Sequence, residues 1–171
     1  MGANIAGPAG SPEATLAAAA ARLGRLGRIR ARSSLYSTAP VGFADQPRFL
    51  NAVVALETEL QPRELLVALA AIEREFGRDR KAEVWNGPRA LDLDILLYGS
   101  RQVNEPDLEI PHPRLSERAF VLAPLAEIAP DATDPRSGRT AGELLAALMA
   151  DPGAAVRIES GEWDAGAKRQ R

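Results

Sequence analysis

Asp92 and Asp94 stand two residues apart inside the run Leu91-Asp92-Leu93-Asp94-Ile95-Leu96-Leu97. Extended backbone turns successive side chains to opposite faces. Leu91, Leu93, Ile95 and Leu97 therefore form one apolar face, and the two carboxylates share the other with Leu96 and Tyr98. Their Cα atoms would lie about 6.5–7 Å apart. Carboxylates so close repel each other unless a cation sits between them, and aspartate is a poor strand former. Hard oxygen ligands of this kind suit Mg²⁺, which keeps several waters and binds through one or two carboxylates plus substrate phosphates. Taken alone, a solvated face on which both acids meet arginines is an equally good reading.

Arg78, Arg80, Lys81 and Arg89 lie just upstream. Guanidinium groups fork onto phosphate oxygens. A solvated loop with Asp79 and Glu83 as partners would explain these cations by themselves. Beside paired carboxylates, a nucleotide polyphosphate with Mg²⁺ joins the two groups better. No G-x-x-x-x-G-K-[ST] segment is present, and no kinase glycine-rich loop or H-R-D motif. A third cluster pairs aromatic rings with an amide. Phe49 and Asn51 share one strand face, and Phe120 follows Pro111-His112-Pro113. Core packing is the ordinary fate of a phenylalanine, yet a ring beside an amide also suits a flat heterocycle, stacked on its face and read at its edge.

The elements that must carry these groups follow from periodicity and punctuation. Ser11-Pro12-Glu13 reads as a cap, a first-position proline and a first-turn acid, predicting a helix to about Leu23, with Gly24 closing it. Ile29, Ala31, Ser33 and Leu35 alternate with arginines and predict a half-buried strand. Ser37 to Arg48 reads as a loop, and Phe49 to Leu60 as a second strand. Pro62 opens a helix with Leu65, Leu69, Ile72 and Phe76 on one face, ended by Gly77. Arg78 to Ala90 is a polar, basic loop. Leu91 to Tyr98 is a strand, and Gly99-Ser100 a hairpin turn into a strand near Arg101 to Asn104. Short helical pieces follow from Glu117 to Ile128. Thr140 and Glu143 form a capping box for a helix ending near Ala150, and Val156 to Ile158 is a short edge strand. This order, without strict strand–helix–strand alternation, predicts an α+β fold with a largely antiparallel sheet.

The 171 residues suit one domain, expected over 1–160 with a disordered tail at 161–171. Without cysteine, disulfides and thiolate chemistry are excluded, and one histidine excludes a poly-His metal site. A net charge of -2 speaks against a nucleic-acid surface. No apolar run approaches the roughly 18–20 residues that span a bilayer, and the start has no basic segment followed by an apolar one. The expectation is a cytoplasmic monomer with no nucleic-acid or membrane partner.

Several segments occur together in order: Thr38-Ala39-Pro40-Val41-Gly42, Asp45-Gln46-Pro47-Arg48-Phe49-Leu50-Asn51, Gly77-Arg78-Asp79-Arg80-Lys81, Gly87-Pro88-Arg89-Ala90-Leu91-Asp92-Leu93-Asp94, Ile110-Pro111-His112-Pro113-Arg114 and Glu117-Arg118-Ala119-Phe120. Over roughly residues 2 to 130 the chain resembles the 6-hydroxymethyl-7,8-dihydropterin pyrophosphokinases of folate synthesis. The resemblance implies a ferredoxin-like α+β sandwich and transfer of pyrophosphate from ATP to the pterin hydroxymethyl group, releasing AMP. It implies that Asp92 and Asp94 hold two Mg²⁺ ions and that Arg78 and Arg89 act on the phosphates. Glu73, Arg80, Lys81, Ile95, His112 and Arg118 would meet ATP. Phe49 and Phe120 would sandwich the pterin, with Asn51, Thr38, Ala39 and Val41 reading its edge and Trp85 on a closing lid.

The chain departs from the family pattern at three kinds of place. Asn86 separates Trp85 from Gly87, where members read W-G-P-R. Pro113 and Ala70 replace side chains that meet ATP in some members. The family also opens with a strand ending in G-[SA]-N, and Gly2-Ala3-Asn4 follows Met1 directly, so a truncated first strand is expected. The rival readings are a Mg²⁺-dependent nucleotide transferase with another substrate and a truncated, inactive homologue.

Overall fold

The computed structural model describes residues 1–40, 42, 45–78, 87–148, 155–158 and 163. Along the chain run β1 (Gly2–Ala3), α1 (Pro12–Leu23), β2 (Arg28–Arg32), β3 (Leu35–Thr38), β4 (Phe49–Asn51), β5 (Val54–Glu57) and α2 (Pro62–Glu75). There follow β6 (Val103–Glu105), β7 (Leu108–Ile110), a 3₁₀ turn at Leu115–Glu117, α3 (Ala119–Ile128), α4 (Ala141–Leu148) and β8 (Ala155–Ile158). Every strand pair among the described residues is antiparallel, in the orders β1-β4-β3-β8, β2-β5 and β6-β7. The fold is α+β, as expected.

The starts of α1 and α4 are capped as the sequence predicts. Ser11 Oγ accepts the Ala14 N–H at 3.2 Å, and at α4 Thr140 and Glu143 exchange side-chain-to-backbone hydrogen bonds of 2.8 and 3.2 Å. Helix α2 ends at Gly77, whose φ of +87° is costly for any residue with a Cβ.

Two expected strands are each broken once, at the same place. The predicted strand from Ile29 to Leu35 divides into β2 and β3, and the one from Phe49 to Leu60 into β4 and β5. Ser33 sits at the break: its amide donates to Val53 O at 3.0 Å, and its hydroxyl accepts the Val53 N–H at 2.9 Å. A side chain thus takes a hydrogen bond that a continuous ladder would give to backbone. Strand β3 also reaches Thr38, inside the expected loop.

The expected strand at Leu91–Tyr98 is corrected. Only Asp92 pairs, through reciprocal bonds of 2.9 and 2.7 Å with Gly2. Strand β1 is two residues long, so it offers no ladder beyond that point. Leu91 and Leu93 stay buried, but the alternation then lapses: Ile95 and Tyr98 pack on one core while Leu96 and Leu97 pack on another. Between Leu93–Tyr98 and β5 runs an apolar groove of about 490 Å³ that opens beside Met1. The hairpin expected at Gly99-Ser100 forms instead between β6 and β7, around Pro106-Asp107; Gly99 makes only a local turn.

The first core joins Leu16, Ala19, Ala20 and Leu23 of α1 to Leu65, Leu69 and Ile72 of α2, with Leu91 and Leu93 beneath. The second joins Leu122 and Leu125 of α3 to Ala141 and Leu144 of α4. Neighbours Ala52 and Val53 belong one to each core, so the central strand layer has helices on both faces. Each fully buried leucine contributes about 1.5–3 kcal/mol. Of the expected tail, only Trp163 lies among the described residues. It is 1% exposed, its indole donates to Ser33 O at 2.7 Å, and the Arg32 guanidinium stacks 4.2 Å above it.

Candidate active site

The central layer delivers both carboxylates to one end of a small cavity of about 100 Å³, ringed by Thr38, Ala39, Phe49, Asn51, Arg89, Asp92, Asp94, Arg114, Arg118 and Phe120. The groove beside β5 is larger, but its lining is chiefly aliphatic. Convergent polar groups distinguish a reactive site from a packing gap, so the smaller cavity is the candidate site. It draws on β1, β3, β4, the Asp92 segment and the start of α3, all anchored in the two cores. Backbones approach closely at its rim: a Cβ on Gly2 would come within 2.9 Å of Asn51 Oδ1.

On one wall Phe49 and Asn51 stand two residues apart on β4, and Asn51 Nδ2 donates to Thr38 Oγ1 at 2.8 Å. That bond fixes the amide and leaves its carbonyl oxygen toward the cavity rim. Phe120 faces in from the first turn of α3. Arg89 lies over the Phe49 ring at 5.4 Å and Arg118 over the Phe120 ring at 5.5 Å, so each aromatic wall carries a cation.

At the floor, Asp92 accepts from Arg78 Nη1 through Oδ1 and pairs with Arg89 Nη1 through Oδ2 at 3.2 Å. Burial alone would push its carboxyl up, but Arg78 and then Arg89 outweigh burial and hold it below the ordinary range. Asp94 goes the other way. Protein crowding around the cavity raises its carboxyl, the Asp92 charge adds to this, and His112 opposes it. Its side chain is exposed in the cavity lining. Burial, opposed by Asp94 and reinforced by Arg118, holds the His112 ring below its usual value. His112 Nδ1 accepts the Arg114 N–H at 3.1 Å, which leaves the neutral ring's hydrogen on Nε2.

The donor set fits a hard divalent cation. Two carboxylates converge, and one of them, Asp94, has no hydrogen-bond or ion-pair partner among the described residues. No group of three or more ligating side chains occurs there either. That combination suits Mg²⁺ completed by water and phosphate oxygens and not an all-protein cage. Two guanidinium nitrogens, Arg89 Nε and Arg118 Nε, are buried without a partner, and a buried donor of this kind calls for an acceptor.

Of the residues expected from sequence, Thr38, Ala39, Phe49, Asn51, Arg89, Asp92, Asp94, Arg118 and Phe120 line this cavity. Arg78 touches it through Asp92. Glu73 lies behind it, 1% exposed. His112 adjoins Asp94, and Ile95 lines the groove on the far side. Val41, Arg80, Lys81 and Trp85, with the inserted Asn86, lie outside the described residues. Sequence reasoning gave no role to Arg114, which lines the cavity, and gave Asn4 only that of shaping the loop after the first strand. The Asn4 side chain accepts the Arg89 N–H at 2.8 Å and donates to Gln46 Oε1 and Pro47 O at 3.0 Å each. It is 3% exposed, and a lone asparagine in sequence does not reveal such burial.

The sequence family described as 7,8-dihydro-6-hydroxymethylpterin-pyrophosphokinase matches residues 1–130. The chain belongs to this family. It is 55% identical over 120 residues to a 2-amino-4-hydroxy-6-hydroxymethyldihydropteridine pyrophosphokinase of Pseudomonas aeruginosa, covering 70% of this chain and 72% of that one. A protein of the same name from Methylorubrum extorquens is 46% identical over 161 residues, 93% of this chain and 96% of the relative. One from Synechocystis is 52% identical over 113 residues, 66% of this chain and 56% of the relative. In this pyrophosphokinase family member, the cavity lies wholly within the matched region.

Proposed function

We propose that the protein transfers the pyrophosphoryl group of ATP to the hydroxymethyl oxygen of 6-hydroxymethyl-7,8-dihydropterin, releasing AMP, as a step of folate synthesis. Family membership supports the reaction. The observation that carries it is the meeting, in one cavity, of an aromatic–amide wall with paired carboxylates and buried, unpartnered guanidinium nitrogens.

In this reading Phe49 and Phe120 hold the pterin ring by its faces, and Asn51, oriented by Thr38, reads its edge. The hydroxymethyl oxygen then points toward Asp92 and Asp94. A bond forms between that oxygen and the β-phosphorus of ATP, the bond from the β-phosphorus to the α,β-bridging oxygen breaks, and AMP leaves with the bridging oxygen. The hydroxyl proton is released to solvent. Phosphoryl transfer depends on alignment and on neutralising oxygen charge more than on covalent help. Arg89 and Arg118 supply positive charge from two walls, and Arg78 supplies it from behind Asp92. Asp92 and Asp94 would hold two Mg²⁺ ions, which would supply positive charge against the phosphate oxygens. Glu73, Arg80, Lys81, Ile95 and His112 are assigned to the ATP side, and Val41 to the pterin edge with Trp85 over it. A ferredoxin-like frame, a single domain over 1–160, a monomer and a cytoplasmic location complete the proposal.

An AMP-release assay with ATP and Mg²⁺, run with and without the pterin alcohol, tests this. AMP that forms only with pterin supports the reading. AMP formed equally without it would point to another acceptor, and none under any condition would mean an inactive homologue.

A further inference from the structure

Glu73 occupies an expensive position. It is 1% exposed, and it lies in the last turn of α2, at the negative end of the helix dipole. Its partners show what that cost secures. Oε1 accepts the Leu93 N–H at 2.8 Å and also faces Arg78 Nη1, whose main-chain amide donates to Glu73 O at 3.0 Å. The same Arg78 nitrogen reaches Asp92 Oδ1.

Leu93 is the residue between the two site carboxylates. Past Asp92 the segment has no strand ladder, so the direction of the Leu93 peptide is not set by pairing. Gly2 holds the segment from one edge at Asp92, and Glu73 holds the next amide. A closed circuit results: Leu93 amide, Glu73, Arg78, Asp92 and back along the chain.

We propose that Glu73 is a positioning residue, whose carboxylate sets the mutual orientation of Asp92 and Asp94 through the Leu93 amide and retains Arg78 beside them. This rests on the pyrophosphokinase reading above. When Asp92 turns toward a cation and phosphates, Glu73 remains as the anion that keeps Arg78 at the site.

The test compares wild type, Glu73→Gln, Arg78→Ala and the double variant. Glutamine preserves the shape and an acceptor for Leu93 but removes the charge opposite Arg78. Glu73→Gln should lower kcat about tenfold, the scale of coupling within one network, with pterin KM changed less than about twofold. In the Arg78→Ala background it should cause no further fall. Calorimetry with Mg²⁺ and a non-hydrolysable ATP analogue should show weaker Mg²⁺ binding in Glu73→Gln. An unchanged kcat, a fall that simply adds to that of Arg78→Ala, or a lowered melting temperature with unchanged kcat and Mg²⁺ binding would overturn the proposal. If Glu73→Gln does not fold, Glu73→Asp keeps the charge but cannot reach Leu93. Wild-type kcat in that variant overturns the idea, and a comparable loss supports it. Absence of pterin-dependent AMP in wild type defeats the functional reading instead, and the Mg²⁺ titration then still decides for or against Glu73.

Discussion

Asp92 and Asp94 stand two residues apart in opposite electrostatic settings: Asp92 is held by Arg78 and by Arg89 at 3.2 Å, whereas Asp94 has no ion-pair partner among the described residues. One carboxylate is neutralised in advance and the other is left to a ligand. Removing each should therefore have the same effect on turnover and different effects on stability. Asp92→Asn and Asp94→Asn should each lower kcat by at least about a hundredfold, the scale of losing one electrostatic contact to a transition state. Asp92→Asn should also destabilise the fold by about 1–2 kcal/mol, since it weakens charge-assisted bonds to two arginines. Asp94→Asn should leave stability equal or higher in the absence of metal. Chemical denaturation with EDTA, paired with the AMP assay, checks both; a stability loss in Asp94→Asn alone would reverse the assignment.

The raised Asp94 carboxyl predicts a pH dependence in metal-free protein. Between the ordinary carboxylate range and its raised value, the native state keeps a proton that the unfolded chain has lost. Stability contributed by Asp94 must then fall as pH rises through that window. His112, held low in the native state, acts in its own higher window with the opposite slope: the unfolded chain binds the proton more readily, so stability is lost as pH falls. Melting temperatures of wild type and Asp94→Asn in EDTA, measured from acid to neutral pH, isolate the first effect. The wild type should lose ground against the variant as pH rises. Parallel curves would mean that Asp94 titrates normally.

Arg89 should act on the transition state more than on pterin binding. It lies over Phe49, but its charge is directed at Asp92, and its Nε is buried without an acceptor. Arg89→Ala should lower kcat and kcat/KM together, by roughly a hundredfold. Pterin affinity, followed by equilibrium binding, should weaken only by the lost ring contact, about threefold. A large loss of affinity with kcat intact would make Arg89 a substrate-binding group only.

Much of the site was legible because type and spacing fixed it. Asp92 and Asp94 needed only the two-residue period, and Phe49 with Asn51 needed the same. The α1 and α4 caps were equally local. What was not legible depends on partners distant in sequence. The lost ladder past Asp92 follows from the length of β1, which residues 91–98 do not encode. The break at Ser33 depends on Val53, twenty residues away. Glu73 entered only through the family resemblance, as an ATP contact, and Asn4 only as a residue that shapes the loop after the first strand. Only the tertiary fold sets the first against Leu93 and the second against Arg89.

Trp163 shows the same limit from the far end of the chain. Its surroundings in sequence are polar and charged, which suggests a frayed tail, yet its ring is buried against the first core. The indole hydrogen bond goes to Ser33 O, at the point where the strand layer breaks between β2 and β3. Arg32, next to that break, stacks on the ring and donates to the Trp163 carbonyl. The tryptophan therefore closes the bend that β3 needs in order to reach Thr38 and the cavity. Trp163→Ala should cost about 3–5 kcal/mol, the usual penalty for emptying a buried aromatic site. For a chain of this size that is a drop of roughly 10 °C in Tm. Trp163→Phe keeps most of the volume but leaves the Ser33 carbonyl without its donor, so it should recover more than half of the loss. Thermal melts of the three proteins decide the matter. A wild-type Tm in Trp163→Ala would show that the ring is not part of the core.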